Sequence, residues 1–158
     1  MKALTIQQPY AHLIMTQQSE LPDGVFQKRV ENRVRRTWTR GQIAIHAGVS
    51  FNWFRWGDWT LRAKRQEDVP EMTFGAIVGL ADIVDCVDFD RAEYDRAVYQ
   101  EDQQYLSKLR DSPHAWIESH KHATGPHCYV FGSVYRLQTP VPCRGLQGIW
   151  TVPPEVEA

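Results

Sequence analysis

A long run of β-branched and apolar residues in the middle of the chain constrains the fold most. Residues Phe74 to Val87 read FGAIVGLADIVDCV, and only Asp82 and Asp85 interrupt the apolar character. Such a run is typical of a β-strand, and it is the strongest strand signal of the chain. With 158 residues, the chain is long enough to bury a core without metals or disulfides. We therefore expect a long strand over residues 74 to 87.

Apolar spacing in the remaining segments predicts a mixed sheet with helices around it. Helices are predicted at Gln8–Gln18, Ser50–Gln66 and Arg91–Arg110, and further strands at Val25–Arg33, Gly41–Ala47, Cys128–Leu137 and Gln147–Val152. This order is not a repeating βαβ pattern, so the expected class is α+β, in a single domain over residues 1–158.

Composition indicates an ordinary globular protein. The net charge is −1, 42% of the residues are hydrophobic, and no apolar stretch approaches a membrane span of about 20 residues. No secretory signal is evident at the N-terminus, and three widely spaced cysteines do not suggest a disulfide framework. We expect a cytoplasmic protein with no membrane partner and no cofactor.

The near-neutral charge hides two blocks of opposite sign. Residues 25–65 carry ten Lys or Arg against two acids, and residues 66–112 carry twelve acids against four bases. A basic block of this density is typical of a nucleic-acid surface, and the alternative is that the two blocks neutralise each other by salt bridges.

Several short motifs, in their order along the chain, resemble the ASCH family. They are QQPYAHLI (7–14), KRVENR (28–33), RGQIAIHA (40–47), GAIVGLADIVDCV (75–87) and PVPCRGLQGIW (140–150). The resemblance implies a small PUA-like β-barrel of mixed strands flanked by helices. It also implies a cleft that carries the motif G-x-K-x-x-[E/T]-x-R, which Lys28, Glu31 and Arg33 match, with Phe26 in place of the glycine.

That cleft is the predicted nucleic-acid site, for RNA or a single strand with an unstacked or modified base. The predicted contacts are Gln8, Pro9, Tyr10, Lys28, Glu31, Arg33, Arg35, Arg36, Trp38, Arg40 and His46. The arginines would bind phosphates and Trp38 would stack on a base. Each residue also has a purely structural interpretation: Gln8 as a helix cap, Trp38 as a packing residue, His46 as a hydrogen-bonded core residue, and Glu31 with Arg33 as a surface ion pair.

Two other functions remain open. A hydrolase on the same cleft would use Lys28 and Glu31 as catalytic residues, acting on an acylated nucleoside or on RNA. Glu31 occupies the position of the threonine that the family's amidohydrolases require, which counts against the first of these. Alternatively, the charged blocks could serve protein partners. His120, His122, His127 and Cys128 lie close together but lack structural zinc spacing, so no metal site is predicted.

Overall fold

The structure, a computed structural model, describes residues 1–56 and 63–157. The strands are β1 (Lys2–Ile6), β2 (Val30–Arg33), β3 (Gly41–Ala47), β4 (Ala76–Asp88), β5 (His127–Pro142) and β6 (Ile149–Thr151). The helices are α1 (Tyr10–Met15), α2 (Trp53–Trp56), α3 (Arg91–Tyr99), α4 (Gln103–Arg110) and α5 (Pro154–Glu157), with 3-10 turns at Gln18–Glu20, Gln66–Asp68 and Ala115–Ser119.

Within the described residues, the six strands hydrogen-bond in the order β2-β5-β4-β3-β1-β6. β1 runs parallel to β3 and antiparallel to β6, and β2 runs antiparallel to β5. The sheet is therefore mixed, and the predicted α+β class is confirmed. Closure into a PUA-like barrel stays a prediction. In the same part of the chain, no helix is long and apolar enough to cross a membrane.

The chain divides into two compact units. Unit 1 comprises Met1–Lys28, Gly41–Asp82 and Ser133–Ala158, and unit 2 comprises Arg29–Arg40 and Ile83–Gly132. Strands β4 and β5 each contribute residues to both units. The expectation of one domain over residues 1–158 stays a prediction.

Two apolar clusters formed by described residues lie in unit 1. The first joins the sheet strands and is formed by Ala3, Ala44, Ile77, Trp150 and Val152. The second contains the fully buried Phe54 with Val69 and Met72, and the rings of Phe51 and Phe74 stack beside it at 4.3 Å between centroids. Ala44 of β3 and Ile77 of β4 both belong to the first cluster, so the two strands share this part of the core.

Unit 2 has its own core, formed by Val30, Phe89, Ile117, Ala123, Cys128 and Val130. Arg91 holds the loop after α4 against this core by hydrogen bonds. Its Nη1 donates to the Glu118 carbonyl at 2.8 Å, its Nη2 donates to the Ala123 carbonyl at 3.1 Å, and its guanidinium lies 4.7 Å from the centre of the Phe89 ring. A guanidinium that donates to several carbonyls holds irregular backbone in one conformation.

Several predicted elements are wrong in extent. Helix α1 covers only Tyr10–Met15 of the predicted helix Gln8–Gln18, and β5, His127–Pro142, is longer than the predicted strand Cys128–Leu137.

Three further elements differ more strongly. The predicted strand Val25–Arg33 is a strand only over β2, because the Lys28 N–H donates instead to the Leu13 carbonyl of α1, at 3.0 Å. The predicted helix Arg91–Arg110 is two helices, α3 and α4. In the predicted helix Ser50–Gln66, residues 57–62 lie outside the described residues, α2 covers only Trp53–Trp56, and residues 63–65 are not helical.

The strand β1 was not predicted at all. Its five residues, KALTI, form a run too short to distinguish from a loop by periodicity. In the sheet, β1 lies between β3 and β6, and Ala3 and Leu4 are fully buried. Pairing on both sides, rather than local preference, defines this strand.

Candidate nucleic-acid interface

The segment that follows β2 in unit 2, residues 34–40, exposes two large apolar side chains. Val34 is 82% exposed and Trp38 is 80% exposed. Burying a side chain of this size is worth about 1.5–3 kcal/mol, so leaving an indole in water forgoes that free energy. We call residues 34–40 the Trp38 segment. The interpretation of Trp38 as a packing residue does not fit this exposure.

The Trp38 segment is held in place on both sides of the indole. Thr37 is buried, and its hydroxyl accepts the Thr39 N–H at 3.1 Å. Arg40 Nη1 donates to the carbonyls of Thr37 and Thr39 at 3.2 and 3.0 Å. On the other side, the hydroxyl of Tyr129 on β5 donates to the Arg35 carbonyl at 2.8 Å. The indole therefore projects from a tethered segment.

Arg36 covers one face of the exposed indole. The central guanidinium carbon of Arg36 lies 5.2 Å from the centre of the Trp38 ring, within the range of a cation–π contact. Because Trp38 remains 80% exposed with Arg36 in contact, the opposite face of its ring is open to solvent. That open face is large enough to stack on one planar base.

The basic and acidic blocks neutralise each other at two of the predicted phosphate contacts. Arg36 Nη1 lies 2.6 Å from an oxygen of Asp88, and Arg40 Nη2 lies 3.2 Å from an oxygen of Asp85. Both pairs are partly exposed, and pairs of this kind are worth about 0–1 kcal/mol. Such weak pairs leave each guanidinium able to exchange its carboxylate for a phosphate.

Arg35 differs from these two arginines. Its side chain is exposed, and within the described residues no carboxylate forms an ion pair with it. A guanidinium in water beside an exposed indole can bind a phosphate without first losing a protein partner. Arg35 is therefore the phosphate contact that the structure favours most among the predicted arginines.

Glu31 and Arg33 lie on the same face of β2, as their spacing predicts. Arg33 Nη2 is 3.0 Å from Glu31 Oε1, and both side chains are mostly buried. Burial raises the pKa of the neighbouring Tyr129 phenol, while the positive charge of Arg33 opposes that rise. The contact of this pair with nucleic acid stays a prediction.

Two histidines that no sequence motif indicates contact the same aspartates. His127 Nδ1 lies 2.8 Å from Asp88 Oδ1, and His114 Nε2 lies 3.0 Å from Asp85 Oδ2. The partners are 39 and 29 residues apart, so no local motif indicates them. The sequence pattern relates His127 only to the neighbouring His120, His122 and Cys128.

The remaining motif residues lie in unit 1. Lys28 is only 4% exposed, and its Nζ lies 5.2 Å from the centre of the Tyr10 ring. Tyr10 in turn meets the half-exposed Trp53 edge to face, at 6.0 Å between ring centres. The structure thus places Lys28 beside Tyr10, and the predicted contact of both residues with nucleic acid stays a prediction.

Gln8 and Pro9 have structural roles at the start of α1. Gln8 is 1% exposed. Its amide oxygen accepts the His12 N–H at 2.9 Å, and its amide nitrogen donates to the Thr73 carbonyl at 2.8 Å. Pro9 is buried as the residue before the helix. These bonds match the helix-capping interpretation of Gln8, and its predicted contact with a base stays a prediction.

His46 is buried in unit 1 at 2% exposure. Its Nε2 lies 3.0 Å from the Cys143 carbonyl, to which it donates, and burial lowers the pKa of the imidazole. Donation from Nε2 makes Nδ1 the deprotonated nitrogen of the neutral ring, and Nδ1 has no hydrogen-bond partner among the described residues. These contacts match a core histidine, and its predicted site role stays a prediction.

Of the histidines near Cys128, His120 and His122 meet edge to face, at 5.8 Å between ring centres, and each has further partners. The His120 ring accepts the Arg29 N–H at Nε2, at 3.1 Å, and the His122 carbonyl accepts from the Asn32 amide at 2.8 Å. Cys128 Sγ donates to Asn32 Oδ1 at 3.4 Å. In residues 1–56 and 63–157, no group of three or more His, Cys, Asp or Glu is placed to hold a metal ion.

No protein-family model matches this chain, and no curated protein matches it. The ASCH resemblance accordingly rests on the order and spacing of the five motifs alone.

Proposed function

We propose that this chain binds single-stranded nucleic acid, and RNA in particular, through the Trp38 segment of unit 2. The observation that carries the proposal is the Trp38 indole, which is 80% exposed on a tethered segment with arginines on both sides. Aromatic rings in a positively charged groove are the usual means of binding single strands.

The geometry of the indole favours an unpaired base as its partner. Arg36 occupies one face of the ring, so one base can stack on the other face. In a duplex the base faces are already stacked on their neighbours, whereas loops and single strands present them. One such stack contributes about 1–3 kcal/mol.

Arginines of the segment would bind the phosphates on either side of the stacked base. Arg35 is available directly, and Arg36 and Arg40 would exchange Asp88 and Asp85 for phosphate oxygens. Exchange of one anion for another costs little when the protein pair is exposed. Affinity for the strand should then fall with salt as counterions return to the phosphates.

We further propose that the chain is an ASCH-type, PUA-like protein of the cytoplasm. The motif order and the mixed sheet support this assignment. The motif residues Gln8, Pro9, Tyr10, Lys28, Glu31, Arg33 and His46 are then candidates for recognising an unstacked or modified base. The hydrolase alternative, with Lys28 and Glu31 as catalytic residues, stays a prediction.

The test is a fluorescence-anisotropy titration of labelled single-stranded RNA, single-stranded DNA and duplex DNA over a salt series. Trp38→Ala should weaken binding to the single strands about 5- to 150-fold, the equivalent of one lost stack. Arg35→Glu should weaken binding and reduce the steepness of the salt dependence.

Tyr99→Ala is the matched control. Tyr99 is 89% exposed at the end of α3, so its loss removes an exposed aromatic ring without touching the Trp38 segment. Equal effects of Trp38→Ala and Tyr99→Ala would refute the assigned surface. Absence of binding to all three nucleic acids would refute the function and favour a small modified nucleoside as the ligand.

A further inference from the structure

Asp88 is shared between an arginine and a histidine. Its Oδ1 accepts from Arg36 Nη1 at 2.6 Å and from His127 Nδ1 at 2.8 Å. His127 lies on β5, directly opposite Arg33 in the β2–β5 register. Arg33 is paired with Glu31, so that pair adds no net charge beside the imidazole. The charge around Arg36 therefore depends on Asp88 and His127.

Asp85 forms a second arrangement of the same kind. Its Oδ1 accepts from Arg40 Nη2 at 3.2 Å, and its Oδ2 contacts His114 Nε2 at 3.0 Å. The Cys86 N–H, followed by His114 and Arg40, holds the pKa of Asp85 below its ordinary value. Trp116 meets the His114 ring edge to face, and Glu118 on the same loop is paired with Arg110 of α4.

Both arrangements change charge when their histidine binds a proton. With a neutral imidazole, the arginine and the aspartate cancel, and the group has no net charge. With an imidazolium, each group carries one positive charge. Histidine is the side chain that makes this change between about pH 5 and 8. Two protonations would thus restore two positive charges beside the Trp38 segment.

We propose that His114 and His127 set the charge of the Trp38 segment by protonation, so that it binds single-stranded RNA more tightly at acidic pH. This inference rests on the proposed function. It adds the regulation of that surface by protons, through two histidines and two aspartates that contact Arg36 and Arg40. Each aspartate acts as a counter-ion that the histidine can release from its arginine.

The size of the effect follows from counterion release. On a single strand, each additional phosphate contact steepens the dependence of log K on log salt by about 0.7. Two protonated histidines should therefore steepen it by up to about 1.4 between pH 7.5 and pH 5.5.

The experiment titrates the full chain into a labelled uridine-rich single-stranded RNA at pH 7.5 and pH 5.5, each over a salt series. Thermal melts at both pH values establish that each variant is folded. The wild type should bind more tightly and with a steeper salt dependence at pH 5.5. The double variant His114→Gln, His127→Gln should lose that increase. An increase that persists in the double variant would overturn the proposal.

Two further variants test the role of Asp88 without removing a histidine. Asp88→Asn should tighten binding at pH 7.5, because Arg36 then has no carboxylate to exchange. Asp95→Asn removes the same charge from the exposed face of α3 and should leave affinity and pH response as in the wild type.

The failures of the two proposals are distinguishable. Binding with the same affinity and salt dependence at both pH values would overturn the proton control and leave the proposed function standing. Equal tightening by Asp88→Asn and Asp95→Asn would also overturn it, since only net charge would then matter. No binding at either pH would overturn the proposed function itself.

Discussion

His46 and Gly145 pack so closely in unit 1 that each restricts the other. A Cβ at position 145 would lie 2.4 Å from two atoms of the His46 ring and 2.8 Å from the Thr5 hydroxyl. The ring cannot move away freely, because it is buried and its Nε2 donates to the Cys143 carbonyl. Trp150 also meets the ring edge to face, at 5.8 Å between ring centres.

Gly145→Ala should therefore destabilise the protein by about 1–3 kcal/mol, the usual cost of overpacking a core. Urea unfolding measures this loss. In a His46→Ala background the same glycine change should cost much less, since the ring it meets is gone. Additive losses in the two variants would show that the close approach is not the cause.

Stability should fall as the pH drops below about 6.5, the ordinary pKa of histidine. Burial lowers the pKa of His46 in the folded state, so the unfolded chain binds that proton first and gains free energy from it. Above about pH 6.5 neither state is protonated, and the contribution of His46 is fully present. Burial also lowers the pKa of His12, so His12 contributes to the loss of stability at acidic pH in the same way.

Urea unfolding at pH 7.5 and pH 5.5 checks this dependence. The free energy of unfolding should be smaller at pH 5.5, and His46→Gln should reduce the difference while His12 retains its share. A free energy that stays constant or rises on acidification would contradict the account.

Among the elements, the α3–α4 hairpin shows how one polar stretch becomes two helices. Glu101 has a positive φ of 54°, which ends the first helix, and the Asp102 side chain accepts the Tyr105 N–H at 3.1 Å at the start of the second. The aspartate accepts a hydrogen bond from a backbone N–H of the first turn, for which the helix itself provides no carbonyl partner.

Asp102→Ala should cost about 1 kcal/mol of stability through loss of the cap. Asp102→Asn keeps an acceptor oxygen and should cost less. Chemical denaturation of both variants distinguishes the cap from the charge, because equal losses would point to the charge alone.

Apolar periodicity predicted the strands β3 and β4. It failed for elements whose bounds depend on contacts with residues far away in the sequence. Gly41–Ala47 was predicted with its observed bounds, and the run from Phe74 correctly predicted β4. The bounds of β2 depend on α1, which takes the Lys28 N–H, and β1 exists through its pairing on both sides. Such contacts join residues far apart in sequence, so local pattern cannot reveal them.

At the scale of the whole molecule, the near-zero net charge is the sum of a basic block, residues 25–65, and an acidic block, residues 66–112. Some residues of the two blocks form salt bridges with each other. Arg36 and Arg40 of the basic block pair with Asp88 and Asp85 of the acidic block, and Arg65 pairs with Asp68, as the alternative to a nucleic-acid surface predicts. The basic run and Trp38 were visible in the sequence. The histidines that share these acids were not, because the partners come from distant positions.

The measurement that tests the central claim most directly is a two-dimensional 1H–15N spectrum of the indole groups during a titration with single-stranded RNA. The chain has six tryptophans, and Trp38→Phe assigns the signal of Trp38. Trp150, which is buried and donates to the Thr5 hydroxyl at 3.0 Å, serves as an internal reference. The account predicts that the Trp38 indole signal shifts most and that the Trp150 signal stays in place. RNA binding that leaves the Trp38 signal unmoved would contradict it.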